Sequence, residues 1–348
     1  MRYPAGNGSH GTGNDMKKLA AFLLALTLGA GAATGQCRGT DLLTTLPEAE
    51  RAEMVAAARA VPYPSGNLWQ ARRGARTVTV VGTLHINDVR NADLLARVEP
   101  IVAGADLVIL EATGDEMGRL EQVMASDPGI AFLLEGPSLR DMLSAAEWDI
   151  LRREMGARGV PAFLAGRMRP WLAFVTLSAP VCLIEQGAEA MHGVDARIEA
   201  AAAATGVPVA GLEDYTILIE VFDNLGQDDA LDILRATLLV APHAEDIHST
   251  LTNAYFAGEH RLVWEFSRRW LPPGIEDQID VPAMRAIFSR LEEVLLTRRN
   301  RTWIETLLPL TEVHADIVLA VGAAHLSGHD GILDLLERAG FSLERLAD

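Results

Sequence analysis

Two histidines in this sequence occupy the same local setting, three residues after a glycine that ends an apolar run. They are His85, in residues 80–85 (VVGTLH), and His325, in residues 320–325 (AVGAAH). Imidazole nitrogens bind divalent metals and also take up or release protons near neutral pH. The repeated pattern predicts that both histidines belong to one reaction centre. The alternative for each is a hydrogen-bonded structural histidine at a strand end.

Two glutamates end apolar runs of the same kind. Glu111 follows residues 106–110 (DLVIL), and Glu213 follows residues 207–212 (VPVAGL). Two imidazoles and one or two carboxylates can hold a divalent metal. The same groups can supply a general base and a general acid without a metal. The residues alone leave both chemistries open, and Glu111 as a helix cap or salt-bridge residue is the structural alternative.

The runs that carry these side chains are typical of buried strands. Residues 67–71 and 77–81 favour a strand pair, and the second strand leads directly into residues 82–85. A helix at 90–103 followed by a strand at 106–110 gives a β–loop–α–β unit, which predicts parallel strands. Ligands of open α/β sheets bind at the carboxyl ends of such strands. We therefore expect the four side chains to meet at one edge.

The middle of the chain, about 115–310, reads as mainly helical, with the strand at 207–212 as a short interruption. The chain then returns to a buried strand at 316–321, followed by a helix and a short last strand. These elements predict an α/β fold that has a mixed sheet with parallel core strands and a large helical insertion. The clearest apolar periodicities in the middle lie at 141–156, 190–204, 228–240 and 284–309.

Residues 1–35 have the features of a leader. Lys17 and Lys18 precede an apolar stretch that ends in small residues at Gly35, which is typical of a cleaved secretory signal peptide. The polar residues upstream suggest that translation starts at Met16. The apolar stretch is short for a membrane span, although an uncleaved anchor is the alternative. We expect a periplasmic or secreted protein with a single domain over 36–348 and no stable membrane span.

The composition limits the classes of molecule that the protein is expected to bind. The 348 residues carry a formal net charge of −17, which disfavours nucleic acid and anionic lipid and leaves a peptide or small molecule as the expected partner. The chain has two cysteines, Cys37 and Cys182. In an oxidising compartment such a pair most simply forms one disulfide, with two unrelated thiols as the alternative. Composition gives no indication of oligomeric state.

The sequence resembles the TraB/PrgY/GumN family, whose distant relatives include the Tiki proteases, the erythromycin esterases and the haem-binding ChaN proteins. The resemblance covers nearly the whole mature chain, and its specificity comes from the order of the motifs. It implies an α/β fold of the erythromycin-esterase and ChaN type, with a pocket that holds the two histidines and Glu111. The motifs are Gly82-Thr83-Leu84-His85, Leu110-Glu111, Arg169-Pro170-Trp171, Gly193-Val194-Asp195, Pro208 to Glu213, Arg299-Asn300-Arg301 and Val321 to Leu326 with Gly328 and Gly331.

Two branches of the family imply different chemistries. The Tiki branch suggests a peptidase that needs a divalent metal such as manganese or cobalt, and zinc suits the same donors. The esterase branch suggests that histidine and glutamate activate water without an obligatory metal. Under either reading His85, Glu111 and His325 are the expected catalytic residues or metal ligands. Glu213 is a further ligand or a supporting carboxylate.

Three more residues are expected to bind or orient the substrate. Arg299 and Asn300 fall on a long helix that we expect to face the pocket, and Arg169 is expected to orient a pocket carboxylate. A solvated helix face is the alternative for Arg299, and Asp195 is expected to cap a helix. The predicted function is a metal-dependent, peptidase-like hydrolase. The alternative is a periplasmic protein that binds a metal, haem or a peptide without turnover.

Overall fold

The computed structural model describes residues 37–224, 226–275 and 280–346. The predicted leader lies outside the described residues, and so do its cleavage site near Gly35 and the alternative start at Met16. Within the described residues, no helix is both long enough and apolar enough to cross a bilayer.

Six strands among the described residues form one sheet in the order β4-β3-β5-β2-β1-β6. Strands β2, β3, β4 and β5 are parallel, whereas β1 runs antiparallel to both β2 and β6. The predicted mixed sheet with parallel core strands is confirmed. The strands are β1 (Leu68–Arg73), β2 (Arg76–Thr83), β3 (Leu107–Leu110), β4 (Val209–Gly211), β5 (Asp316–Gly322) and β6 (Ser342–Arg345).

Helices fill most of the chain between the strands. The α-helices are α1 (Glu48–Arg59), α2 (Asn91–Ala103), α3 (Gly114–Ser126), α4 (Leu139–Met142), α5 (Ala145–Ala157), α6 (Ala162–Ala165), α7 (Pro170–Ser178), α8 (Val181–Gln186), α9 (Val194–Thr205), α10 (Thr216–Asn224), α11 (Gln227–Val240), α12 (Ala244–Phe256), α13 (His260–Arg269), α14 (Val281–Glu292), α15 (Arg298–Val313) and α16 (Ile332–Arg338). A π-helical turn, Glu293–Thr297, joins α14 to α15. The apolar periodicity over 284–309 therefore corresponds to two helices, and the π-helical turn between them lies just before the residues expected in the pocket.

Strands β2 and β5 end level with each other, and β3 and β4 end two residues short of them. Thr83 of β2 pairs with Gly322 of β5, and Leu110 of β3 pairs with both Ala320 and Gly211. The residues that follow these strands therefore start from a common edge, as the sequence predicts. Each strand alternates its side chains between the two faces, so both faces must be covered by helices.

Two apolar layers cover the central strands. On one face Val80 and Leu319 pack in a cluster with Trp303 of α15, and helix α16 contributes to the same layer. On the other face Val81 and Val318 pack with helices α2 and α9. The central strands are thus buried on both faces, and the polar side chains cluster at the carboxyl ends of these strands.

The predicted disulfide between Cys37 and Cys182 is present, with 5.5 Å between the Cα atoms. It links the first described residue to helix α8 across 145 residues of sequence. Closing so long a loop restricts the unfolded chain, so replacing both cysteines by serine is expected to lower the free energy of unfolding by roughly 2–5 kcal/mol. Urea denaturation of the oxidised protein and the double variant measures the difference, and a loss below about 1 kcal/mol would contradict this role.

Candidate active site

Gly322, the last residue of β5, marks the point where three predicted side chains meet. A Cβ atom built on this glycine would lie 3.0 Å from Oε1 of Glu111, 3.6 Å from Cδ2 of His325 and 3.6 Å from Nε2 of His85. Its φ of −50° is ordinary, so the position requires glycine for space and not for backbone conformation. Side chains from three strand ends, separated by up to 240 residues, therefore surround one small volume.

Glu111 lies at the centre of this group with both carboxylate oxygens engaged. Oε1 accepts a hydrogen bond of 2.5 Å from the amide of Gly322 and lies 3.8 Å from Nε2 of His325. Oε2 accepts a hydrogen bond of 3.0 Å from Nη2 of Arg299. Burial alone would raise the pKa of Glu111, but the positive partners and the amide outweigh it and lower the pKa to about 2. Glu111 is therefore ionised at every physiological pH.

Arg299 begins the last long helix and joins two carboxylates. Its Nε and Nη2 each donate a hydrogen bond of 2.8 Å to Glu213, and Nη2 also reaches Glu111. Trp303, one turn further along α15, donates to the same Glu213 at 2.7 Å and lies beneath the guanidinium. Nη1 donates to the carbonyl of Leu295 in the π-helical turn. Glu213 therefore fixes Arg299, and Arg299 fixes Glu111.

His325 is held in one orientation by Asn300. Its Nδ1 lies 2.6 Å from Oδ1 of Asn300, whose amide nitrogen donates to the carbonyls of His325 and Asp330. Because Oδ1 must accept, Nδ1 carries the proton of the neutral ring, and Nε2 presents a lone pair toward Glu111. Burial lowers the pKa of His325 to about 3, with help from the charges of Arg299 and His85. The ring is thus neutral at pH 7.

The environment of His85 favours the protonated ring, whereas that of His325 favours the neutral ring. Its Nδ1 lies 3.0 Å from Oδ1 of Asp195, and its side chain is 54% exposed because it lines a cavity. Desolvation acts to lower the pKa of His85, but the hydrogen bond and charge of Asp195, together with Glu111, raise it to about 9. Asp195 reaches His85 because Gly193 lets α9 start against the loop after β2: a Cβ atom on Gly193 would lie 2.1 Å from the carbonyl oxygen of Leu84.

A divalent metal does not fit these donors as they are arranged. Both oxygens of Glu111 are occupied by Gly322 and Arg299, and the Arg299 guanidinium lies 3.5 Å from Nε2 of His325. Among residues 37–224, 226–275 and 280–346, no three His, Cys, Asp or Glu side chains are spaced to hold one metal ion. A second cation beside Arg299 would also be repelled. The metal expected from sequence stays a prediction, to be tested by chelation.

The charged group opens into a cavity of about 520 Å³. His85, Glu111, Arg299 and His325 form its polar end, and the opposite wall comes from helices of the predicted insertion. That wall is largely apolar and includes side chains from α8, α12 and α13. The arrangement places a largely buried ionic centre at one end of a partly open cavity with room for a ligand, which is typical of small-molecule and peptide sites.

The sequence that forms this site matches a known protein family. The model of the TraB/PrgY/gumN family matches residues 67–345. The chain belongs to this family. The match begins just before β1 and ends with β6, so it covers the whole sheet and every side chain of the ionic centre. No curated protein matches the chain.

The TraB/PrgY/gumN fold brings some of the predicted site residues to the cavity and leaves others outside it. His85, Glu111, Arg299 and His325 line the cavity. Glu213 occupies the supporting position that was one of its two predicted roles, because both of its oxygens bind Arg299.

Two residues expected to bind substrate have other positions. Both polar ends of the Asn300 amide are used within the protein, so Asn300 positions His325. Arg169 immediately precedes α7 and lines a separate depression with Leu133 and Trp171, away from the cavity around Glu111.

Asp195 is the functional residue that sequence reasoning assigned to another role. It was expected to cap a helix, and it does fall in the first turn of α9, where acidic residues are common. Its hydrogen bond to His85 spans 110 residues of sequence. The available signal was the motif Gly193-Val194-Asp195, in which the glycine permits the close approach to the loop after β2.

In this TraB/PrgY/gumN protein, replacing Asp195 by asparagine is expected to lower the pKa of His85 from about 9 toward its ordinary value near 6.5. The variant loses the negative charge that favours the imidazolium, so the shift should be about 2 units. NMR titration of the His85 ring measures it. The matched control is Glu189→Gln, which alters the exposed pair with His192. A shift of His85 by less than about half a unit would contradict the assignment.

Proposed function

We propose that this protein is an exported hydrolase that adds water across a peptide or related acyl bond. The observation that carries the proposal is the convergence of two imidazoles with opposite protonation states on one ionised glutamate. His85 is protonated at neutral pH and His325 is not, which are the states required of an acid and a base. The disulfide supports the predicted export, because such bonds persist in oxidising compartments.

The roles follow from these states. Nε2 of His325 accepts a proton from water as the water oxygen attacks the substrate carbonyl. Glu111, 3.8 Å from that nitrogen, stabilises the positive charge that develops on the ring. Nε2 of His85 delivers a proton to the leaving oxygen or nitrogen as the acyl bond breaks. The proton on His325 then returns to His85 through solvent, so the centre is restored with one water consumed.

One observation favours the second candidate, a binding protein without turnover. The pKa values of Glu111 and His325 are about 2 and about 3, well below the range that suits a general base near neutral pH. A fixed pair of Glu111 and Arg299 in a partly open cavity also suits the recognition of a peptide terminus or another polar ligand.

Turnover separates the two candidates. The purified protein is assayed with fluorogenic peptides and with 4-nitrophenyl esters, in EDTA and in added manganese, cobalt or zinc. We expect hydrolysis that persists in EDTA and falls roughly 10³-fold in His85→Asn, with unchanged thermal unfolding. Hydrolysis that requires an added metal would support the metal-dependent mechanism predicted from sequence. Binding of these substrates without any hydrolysis would support the second candidate.

A further inference from the structure

A second cavity of about 270 Å³ adjoins the catalytic cavity. The two share three lining residues, Ser178, Ile247 and Leu251, so a single layer of side chains separates them. We call this second space the side cavity. It lies among helices α7, α11, α12, α13 and α14, on the side of the catalytic cavity away from the sheet.

The side cavity is lined mostly by hydrocarbon side chains. Helix α11 contributes four side chains at helical spacing, from Ile233 to Val240, and aromatic rings come from Phe266, Trp270 and Phe288. None of the described residues that line it carries a charge. A stripe at spacings of three and four residues presents one face of the helix to the cavity.

Its three hydroxyl groups already have acceptors within their own helices. Ser178 donates to the carbonyl of Phe174 at 2.8 Å, and Thr237 donates to that of Ile233 at 2.8 Å. Ser267 donates to the carbonyl of Val263 at 2.9 Å. A peptide or sugar placed here would leave its own acceptors without donors, which is costly in a desolvated space. A hydrocarbon has no such requirement.

We propose that the side cavity binds the hydrocarbon chain of an acyl substrate whose ester or amide carbonyl lies at the ionic centre. This inference rests on the proposed function and names its substrate class. A linear chain suits the geometry because only Ser178, Ile247 and Leu251 divide the two cavities, and a narrow chain needs the smallest displacement of these side chains to occupy both. The substrate is therefore a fatty-acyl ester or amide of medium chain length.

A series of 4-nitrophenyl esters from acetate to decanoate tests the substrate class. Burial of one methylene favours binding by roughly 0.8 kcal/mol, so kcat/KM is expected to rise up to about fourfold per methylene and up to about 10³-fold over the six methylenes from acetate to octanoate. Ala236→Trp, which fills the side cavity from α11, should abolish this rise and leave acetate hydrolysis unchanged. Ala236→Ser is the matched control and should keep it.

Binding is measured separately from turnover. Trp270 lines the side cavity, so 11-bromoundecanoate is expected to quench part of the protein fluorescence. The quenching should disappear in Trp270→Phe and in Ala236→Trp, whereas Ala236→Ser retains it. Thermal unfolding confirms that each variant is folded.

The outcomes separate this inference from the proposed function. Quenching without hydrolysis of any ester would support the side cavity and overturn the hydrolase. Hydrolysis that is independent of chain length, without quenching, would overturn the side cavity and leave the hydrolase standing. Absence of both would overturn both.

Discussion

Replacing Glu111 by glutamine is expected to lower kcat/KM by roughly 10³- to 10⁴-fold, the largest effect on activity of any single substitution in this centre. The glutamine keeps the size of the side chain and can still accept from the amide of Gly322. It removes the negative charge that lies 3.8 Å from His325 and stabilises the ring when it takes up a proton. The loss should fall on kcat more than on KM, because the missing interaction strengthens in the transition state.

The control for this substitution is Glu312→Gln, which makes the same chemical change in an exposed ion pair with Arg73 and Arg76. It is expected to leave kcat and KM unchanged. Circular dichroism and thermal unfolding show whether Glu111→Gln folds as the parent does. A folded Glu111→Gln protein with activity within about threefold of the parent would remove Glu111 from the mechanism.

Replacing Arg299 by methionine is expected to lower the free energy of unfolding by about 3–5 kcal/mol, the largest loss of stability for one side chain. The side chains of Arg299, Glu111 and Glu213 are only 12%, 17% and 6% exposed, so water can replace the lost partner only in part. Two buried carboxylates would remain without their shared cation. The pKa of Glu111 is expected to rise for the same reason.

Urea denaturation at pH 7 measures the loss, and Arg301→Met provides the control. Arg301 is two residues away on the same helix and forms an ion pair with Asp330, but its side chain is 54% exposed. Exposed pairs of this kind contribute about 0–1 kcal/mol. Equal losses in the two variants would show that the pairing of Arg299 with the two glutamates does not stabilise the protein.

The parallel core of the sheet was predictable because β2, β3 and β5 are short, largely apolar runs bounded by glycine or charged residues. The run that ends at Gly322, for example, has the length and composition of a strand buried on both faces. The same reasoning placed His85, Glu111 and His325 at one edge, since parallel strands share the location of their carboxyl ends. That conclusion did not require the order of the strands in the sheet.

The hydrogen-bond partners of the site residues could not be predicted from the sequence. Glu213 and Arg299 are 86 residues apart, and nothing in either local pattern indicates a mutual hydrogen bond. Periodicity predicted the helix around 228–240, but a helical pattern does not specify which neighbouring helices leave space against it. The side cavity depends on that packing and could be recognised only in three dimensions.

The place of β5 in the sheet has a consequence for biosynthesis. Strands β2 and β3 are made early, yet they are not neighbours, because β5 lies between them and pairs with both. A ribosome must therefore translate beyond residue 322 before these two early strands can be linked. Until then each presents unpaired backbone amides and carbonyls, which are prone to aggregation. We expect truncated chains that stop before Asp316 to be insoluble, and chaperones that act on nascent polypeptides to bind this one.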